Sequence, residues 1–147
     1  MIKPFSYKIA GYPTSLQNCL RELEDSAVYQ AMPTSLRFVA ELILDELASN
    51  TLKYGGPDFH ELICEVAYDG HQMRVRLCDD AAPFNPWTDA PKVNDDTMDK
   101  LDDVKIGGRG LHMLLQATDS QHYEHRAGKN YHTLTRTLRP SHDSMAA

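Results

Sequence analysis

A chain of 147 residues has the usual length of one domain and is long enough to bury a hydrophobic core. Its hydrophobic fraction of 41% and charged fraction of 24% are ordinary for a globular protein. The formal net charge of -6 argues against direct binding to the phosphate backbone of nucleic acids.

Membrane insertion and export are not expected either. No apolar run approaches the roughly 18 residues of a transmembrane helix, and the first residues contain no apolar core of a secretory signal. The three cysteines, Cys19, Cys64 and Cys78, match no zinc pattern. We therefore expect reduced, at least half-buried thiols in a cytoplasmic protein.

The first half of the chain predicts one short strand and two helices. Phe5, Tyr7 and Ile9 alternate with polar residues, which is typical of a strand. A first helix follows, with an apolar stripe at helical spacing made of Leu16, Leu20, Leu23 and Ala27. A second, longer helix runs from Thr34 to about Tyr54, where two glycines and a proline end it.

The middle of the chain predicts a hairpin followed by a long loop. Residues 62–68 and 73–79 alternate as strands around a turn at Asp69 and Gly70. The segment from Ala81 to Lys105 is rich in aspartate and has little periodicity. A loop of that length is often a functional lid, here placed at about 81–106, and a disordered insertion is the alternative.

The last part predicts one helix and two strands. Residues Gly107 to Gly110 open a third helix that reaches about Ala117, strands follow at about 120–126 and 131–138, and Gly128 makes the turn between them. Residues 1–139 then form one α+β domain, and the tail 140–147 is expected to be disordered. We expect a two-layer α/β sandwich with a mixed, mostly antiparallel sheet and three helices on one face.

Three polar clusters interrupt this pattern. In the first, Glu46 and Asn50 are four residues apart and share a face of the second helix, which Lys53 extends by a turn. An amide oxygen is a suitable magnesium ligand, and a carboxylate one turn away suits proton transfer from a hydroxyl. The alternative for this cluster alone is an ordinary solvated helix face.

The second cluster begins with Asp79, at the end of the second hairpin strand. By strand parity its carboxylate points to the apolar face, where it needs a hydrogen-bond donor. The amino group of an adenine is one candidate, and a backbone amide or an ordered water is the other.

The third cluster is the glycine-rich segment 107–110 that opens the third helix. Glycines permit close approach of a ligand, a helix N-terminus favours phosphate, and Arg109 adds a cation. A purely structural turn is the alternative. The order of the three clusters therefore carries more information than any one of them.

In that order the clusters resemble the three nucleotide-binding boxes of the histidine-kinase-like ATPases, a superfamily that includes gyrase, heat-shock chaperone ATPases, mismatch-repair ATPases and histidine kinases. The resemblance covers about residues 5–138. Glu46-x-x-x-Asn50 with Lys53-Tyr54-Gly55 resembles the N box. Asp79-x-Ala81-x-Pro83-Phe84-Asn85-Pro86 resembles the G1 box, and Gly107-Gly108-Arg109-Gly110-Leu111 resembles the G2 box.

The resemblance implies a Bergerat-type ATP-binding fold and assigns roles to these residues. Asn50 would hold Mg²⁺, Glu46 would act as the catalytic base, and Asp79 would bind the adenine amino group. Lys53, Ala81, Phe84 and Leu111 belong to the matching boxes and are expected to line the ATP site. Gly107, Gly108, Arg109 and Gly110 would cradle the phosphates, and the lid would close over the nucleotide. Ala81 departs from the pattern, because the G1 box usually has glycine there.

The proline-phenylalanine extension Pro83-Phe84 resembles the anti-sigma kinase branch of this superfamily. The first histidine, His60, follows the N box, which disfavours histidine autophosphorylation, and the chain ends soon after its last strand, unlike the larger ATPases. The resemblance implies phosphorylation of a serine or threonine on an anti-sigma factor antagonist of STAS type, binding of a sigma factor, and a possible homodimer. The alternatives are a regulatory module that acts by contact without catalysis and a detached kinase-like domain that serves a response regulator or phosphatase.

Overall fold

A five-stranded sheet forms one layer of the computed structural model, which describes residues 2–56, 59–89 and 106–139. The strands lie in the order β1-β2-β3-β5-β4, and each neighbouring pair is antiparallel. The prediction of a mostly antiparallel sheet is confirmed, and every pair of described strands is antiparallel. Their bounds are β1 Phe5–Ile9, β2 Leu62–Tyr68, β3 Gln72–Asp79, β4 Ser120–Arg126 and β5 Lys129–Thr137.

Two tight turns set the register of the sheet. At the predicted β2–β3 turn, the Asp69 carboxylate accepts hydrogen bonds from the backbone N–H groups of His71 and Gln72, at 2.8 and 2.7 Å. Between β4 and β5, Ala127 and Gly128 both have positive φ, at 54° and 80°. Positive φ at both central residues is the signature of a type I′ hairpin, whose twist matches the flanking strands. The predicted turn at Gly128 is confirmed.

The helices form the second layer. They are α1 Thr14–Glu24, α2 Ala27–Ala31, α3 Thr34–Ile43, α4 Ser49–Tyr54, α5 Pro86–Asp89 and α6 Ile106–Ala117, with a π-helical segment at Leu44–Ala48 joining α3 to α4. The first predicted helix is divided into α1 and α2, because the Ser26 hydroxyl caps a new helix by accepting from the Tyr29 N–H at 3.2 Å. None of the described helices is long and apolar enough to cross a membrane.

The core lies between these two layers. Alternate residues of β2 and β3 are buried against the helices, while the residues between them face solvent or are half-buried. The helices contribute one apolar stripe each, including Leu23, Leu36 and Leu114, all fully buried. Each such side chain stabilises the fold by about 1.5–3 kcal/mol through burial. The expected α/β sandwich with helices on one face is confirmed.

Strand β5 departs from this apolar alternation. Its helix-facing residues are Asn130, His132, Leu134 and Arg136, and all four are buried. The strand also begins two residues before the predicted position 131, so that Asn130 pairs directly with Asp79 at the end of β3. A polar region is therefore built into the inner face of the sheet where β3 and β5 meet.

Candidate functional site

Glu46 and Asn50 lie where the long second helix leaves α-helical geometry. Glu46 belongs to the π-helical segment, and Asn50 follows in the first turn of α4. The Ser49 N–H approaches the carbonyl oxygens of both Asp45 and Glu46. Both Glu46 and Asn50 are half-buried, as expected for a polar stripe at the edge of the core. Short π segments inside α-helices occur frequently at functional sites.

The carboxyl group of Glu46 has a perturbed acidity. Its partial burial raises its pKa, because desolvation penalises the charged form, and the neighbouring Asp45 carboxylate raises that pKa further. Lys53 acts in the opposite direction. A carboxylate with a raised pKa accepts a proton more readily at neutral pH, which suits it to general-base chemistry.

Glu46 is held against helix α6 at Gly110. A Cβ atom built on Gly110 would lie 1.7 Å from Oε2 and 2.3 Å from Cδ of Glu46. Only a glycine leaves room for the carboxylate at this point of the helix. The first and third predicted clusters therefore meet in the structure through this one contact.

Helix α6 contains the third cluster in its first turns. It begins at Ile106, so Gly107, Gly108 and Arg109 belong to the helix itself and not to a loop before it. The first N–H groups of a helix lack intrahelical acceptors and are available to an anion. Gly110 and Leu111 are buried, and Leu111 packs into the core. Most of the predicted lid, residues 90–105, lies outside the described residues.

Lys53 is exposed and points to another part of the molecule. Its Nζ atom lies 4.8 Å from the centre of the Tyr12 ring, in the connection between β1 and α1. A cation over an aromatic ring at an exposed site gains about 0.5–1 kcal/mol. This contact is weak enough to be exchanged for a contact with a phosphate. The role of Lys53 in lining the ATP site stays a prediction.

Asp79 is buried at the end of β3, with 1% of its surface exposed. Its Oδ1 atom accepts hydrogen bonds from the Ala81 N–H at 2.9 Å and from the Asn130 side-chain amide at 2.8 Å. The inward orientation deduced from strand parity is thus confirmed. Sequence analysis considered an adenine amino group, or else a backbone amide or an ordered water, as the donor. The structure contains a backbone amide, that of Ala81, and the side chain of Asn130 supplies a second donor that sequence analysis did not identify.

His132 is the second titratable group of this region. Its Nε2 atom lies 3.9 Å from Oδ2 of Asp79, and its ring is 5.1 Å from that of Tyr123, centre to centre. Burial lowers the pKa of His132, while the Asp79 carboxylate opposes that shift. Within the described part of the chain, its buried Nδ1 atom has no hydrogen-bond partner. At 3.9 Å, the His132 ring thus lies beside the Asp79 carboxyl group without a hydrogen bond between the two.

The loop after Asp79 carries the other predicted G1 residues. Ala81 is nearly buried, at 9% exposure, and its φ is not positive, so alanine replaces glycine here without backbone strain. Phe84 is half-exposed, at 49%, and its N–H donates to the Tyr123 hydroxyl at 3.1 Å. The Asn85 side chain then caps α5 by accepting from the Trp87 N–H at 3.0 Å.

The donor set fits Mg²⁺ bound together with phosphates better than an all-protein metal site. The described residues contain no group of three His, Cys, Asp or Glu side chains that could hold a metal ion. Magnesium often keeps several water ligands and takes only one or two from the protein. A single half-buried amide such as Asn50, which lies one helical turn after Glu46, is consistent with this mode of binding.

Comparison with known families identifies the family of this chain. A family profile described as "Histidine kinase-like ATPase domain" matches residues 9–136, which is most of the chain. The protein therefore belongs to the histidine kinase-like ATPase family. A search of curated proteins gives no match.

Proposed function

We propose that this domain binds ATP with Mg²⁺ and acts as an anti-sigma regulatory factor that phosphorylates a serine or threonine of an antagonist protein. The observation that carries the proposal is the placement of Glu46. Its carboxylate is half-buried, its pKa is raised, and it rests on Gly110 in the glycine-rich segment. A proton acceptor thus stands beside the segment that suits phosphate binding.

ATP and Mg²⁺ are compatible with the residues of the site. The first turn of α6 offers backbone N–H groups to phosphates, and Asn50 offers an amide oxygen to the metal. When bound, the nucleotide would supply the phosphoryl group and Mg²⁺ would neutralise its charge. Asp79 would accept a hydrogen bond from the amino group of the base.

Glu46 would act on the acceptor hydroxyl. Phosphoryl transfer depends mainly on positioning and charge stabilisation, so the protein needs one group that orients the hydroxyl and takes its proton. The raised pKa of Glu46 lets its carboxylate take that proton with less penalty than an ordinary carboxylate. Its contact with Gly110 limits where the carboxylate can lie.

The partner proteins are inferred from the family branch. We propose a STAS-type antagonist as the phosphate acceptor, a sigma factor as the protein held in its absence, and a second copy of the chain as a further partner. The Pro83-Phe84 extension supports this choice, since Phe84 is half-exposed beside the site. The net charge of -6 suits protein partners better than nucleic acid.

A regulator that acts by contact alone is the second candidate. One observation favours it: Asp79 already accepts hydrogen bonds from Ala81 and Asn130 without any nucleotide. Because Oδ1 is already engaged by two donors, less of the carboxylate is left for a base to bind. In this case the domain would control its partner through its surface, with no transfer of phosphate.

Radiolabelled ATP and a set of purified antagonists distinguish the two candidates. The kinase predicts transfer of the γ-phosphate, which Glu46→Gln abolishes while ATP binding remains. Glu65→Gln is the matched control, because Glu65 lies on β2 and faces away from the helices. Nucleotide binding by the wild-type protein without transfer to any antagonist would support the contact-only regulator.

A further inference from the structure

Asn130 occupies an unusual position for a polar side chain. It lies on the inner face of β5, 2% exposed, directly opposite Asp79. Its amide nitrogen is 2.8 Å from Oδ1 of Asp79, 3.0 Å from the Ala81 carbonyl oxygen and 3.2 Å from that of Ala82. One side chain therefore joins the end of β3 to the loop that follows it.

Tyr123 completes this arrangement from the edge strand β4. Its hydroxyl donates to the Asn130 carbonyl oxygen and accepts from the Phe84 N–H at 3.1 Å. The orientation of the Asn130 amide follows from this chemistry. If the amide were reversed, its oxygen would face three other acceptors, on Asp79, Ala81 and Ala82.

The network leaves one oxygen of Asp79 available. Oδ1 is engaged by two donors, whereas Oδ2 has no hydrogen bond within the described residues and lies 3.9 Å from His132 Nε2. A carboxylate oxygen that accepts no hydrogen bond from the neighbouring protein groups can accept one from a ligand. It gains most from a ligand that brings its own N–H group, such as the amino group of a nucleobase.

We propose that Asn130 and Tyr123 are positioning residues for nucleobase recognition, which hold the Asp79 carboxylate and the loop 81–84 in their binding geometry before a nucleotide arrives. This inference rests on the proposed nucleotide site. The physical benefit is preorganisation, because a loop that is already ordered loses less entropy on binding.

A purely structural role would not require this chemistry. An apolar residue at position 130 would pack against the core without the demands of a buried polar network, in which every member needs a partner. Apart from the hydrogen bond between the two side chains, the hydrogen bonds that they form within the described residues go to Asp79, Ala81, Ala82 and Phe84, which are G1-box residues or their neighbours. The two side chains thus act on the loop that carries the site.

The variant Tyr123→Phe tests this proposal with a minimal change of structure. It removes one hydroxyl and keeps the ring against His132, so the fold should survive. Tyr131→Phe is the matched control, because Tyr131 is also half-buried but lies on the outer face of β5, under Arg126. Denaturant unfolding checks that both variants remain folded. Tyr123→Phe should lower the folding equilibrium constant about tenfold, because the buried Asn130 carbonyl oxygen loses its donor, and Tyr131→Phe should leave it unchanged.

Hydrogen exchange in the nucleotide-free protein measures directly how well the backbone amides of the loop 81–84 are protected. We expect the Phe84 amide to exchange about tenfold faster in Tyr123→Phe than in the wild type, since it loses its acceptor. The control should exchange like the wild type. Unchanged protection of Phe84 in Tyr123→Phe would overturn the claim that Tyr123 holds this loop.

Binding of ATP and of inorganic tripolyphosphate, both with Mg²⁺, separates base recognition from general damage. Tyr123→Phe should weaken ATP binding about tenfold and leave tripolyphosphate binding unchanged, because only the base reaches Asp79. Equal loss for both ligands, or no loss for either, overturns the positioning role. A wild-type protein that binds no ATP overturns the proposed function, and this inference with it.

Discussion

Gly110→Ala separates the stability of this domain from its chemistry. The added Cβ would lie 1.7 Å from Oε2 of Glu46, and Cβ atoms do not approach other atoms more closely than about 3.0 Å. The Glu46 carboxylate must therefore retreat by at least about 1.3 Å. The atoms that meet the new methyl group are the end of a flexible side chain, so a rotation of Glu46 relieves the clash.

The change in folding stability should be small. Alanine in a helix is favoured over glycine by about 1 kcal/mol, and a displaced rotamer of Glu46 costs about 0.5–1.5 kcal/mol. These two effects nearly cancel, so the free energy of unfolding should stay within about 1 kcal/mol of the wild type. Gln116→Ala, an exposed change in the same helix, is the control.

The rate of phosphoryl transfer should fall much more than the stability. A displacement of about 1 Å in a catalytic group can reduce turnover by about 100-fold, which we expect for transfer from ATP to an antagonist. The pKa of Glu46 should also fall toward the ordinary value of about 4.3, because the carboxylate moves into solvent. Carbon-detected NMR titration of the glutamate side chains measures that fall without any substrate.

The reasoning would be refuted by either of two results. If Gly110→Ala unfolds the protein, backbone atoms and not Glu46 occupy the space beside the glycine. If the variant is folded but keeps both the raised Glu46 pKa and full phosphoryl transfer, the contact between Glu46 and α6 has no role in the chemistry.

Three further predictions concern stability and reactivity. Burial and the nearby Glu24 raise the pKa of Glu41 to about 7, so the folded state binds more protons and stability should decline as pH rises from about 4.3 to 7. In urea unfolding, Glu41→Gln should make the free energy of unfolding less dependent on pH over this range. The same pH dependence in the variant and the wild type would contradict the prediction. Iodoacetamide should label only Cys78 in the native protein, because Cys19 and Cys64 are fully buried. The sulfurs of these two residues lie 3.5 Å apart, and their contact raises the pKa of Cys19. Labelling of either buried thiol in the native protein, mapped by mass spectrometry, would contradict this prediction. Leu134→Ala should cost about 2–5 kcal/mol in denaturant unfolding, and a loss as small as that of Thr133→Ala on the outer face would refute its core role.

Much of the fold could be predicted from the sequence because the local periods are clear. The two-residue alternation in 62–68 and 73–79 identified the central hairpin, and the same parity placed the Asp79 carboxylate on the buried face. The type and order of the elements then followed from the turn residues Asp69, Gly70 and Gly128. These signals are local and strong.

The rest depends on tertiary contacts that leave no local pattern. Strand β5 places Asn130 and His132 on its inner face, so its buried side is not the apolar side and alternation does not reveal it. The start of β5 at Lys129 was missed for the same reason, and with it the pairing of Asn130 with Asp79. The π segment depends on helix packing. The contact of Glu46 with Gly110 joins residues that are far apart in the chain.

Titration with ATP, with and without Mg²⁺, is the most direct test of the central claim that this domain holds a nucleotide. Trp87 is the single tryptophan and lies in α5, partly buried beside the G1 loop, so its fluorescence reports on the site. We predict saturable binding that requires Mg²⁺ and is lost in Asn50→Ala, with calorimetry giving the same affinity. Absence of binding up to millimolar ATP, or equal binding by Asn50→Ala, would contradict the assignment.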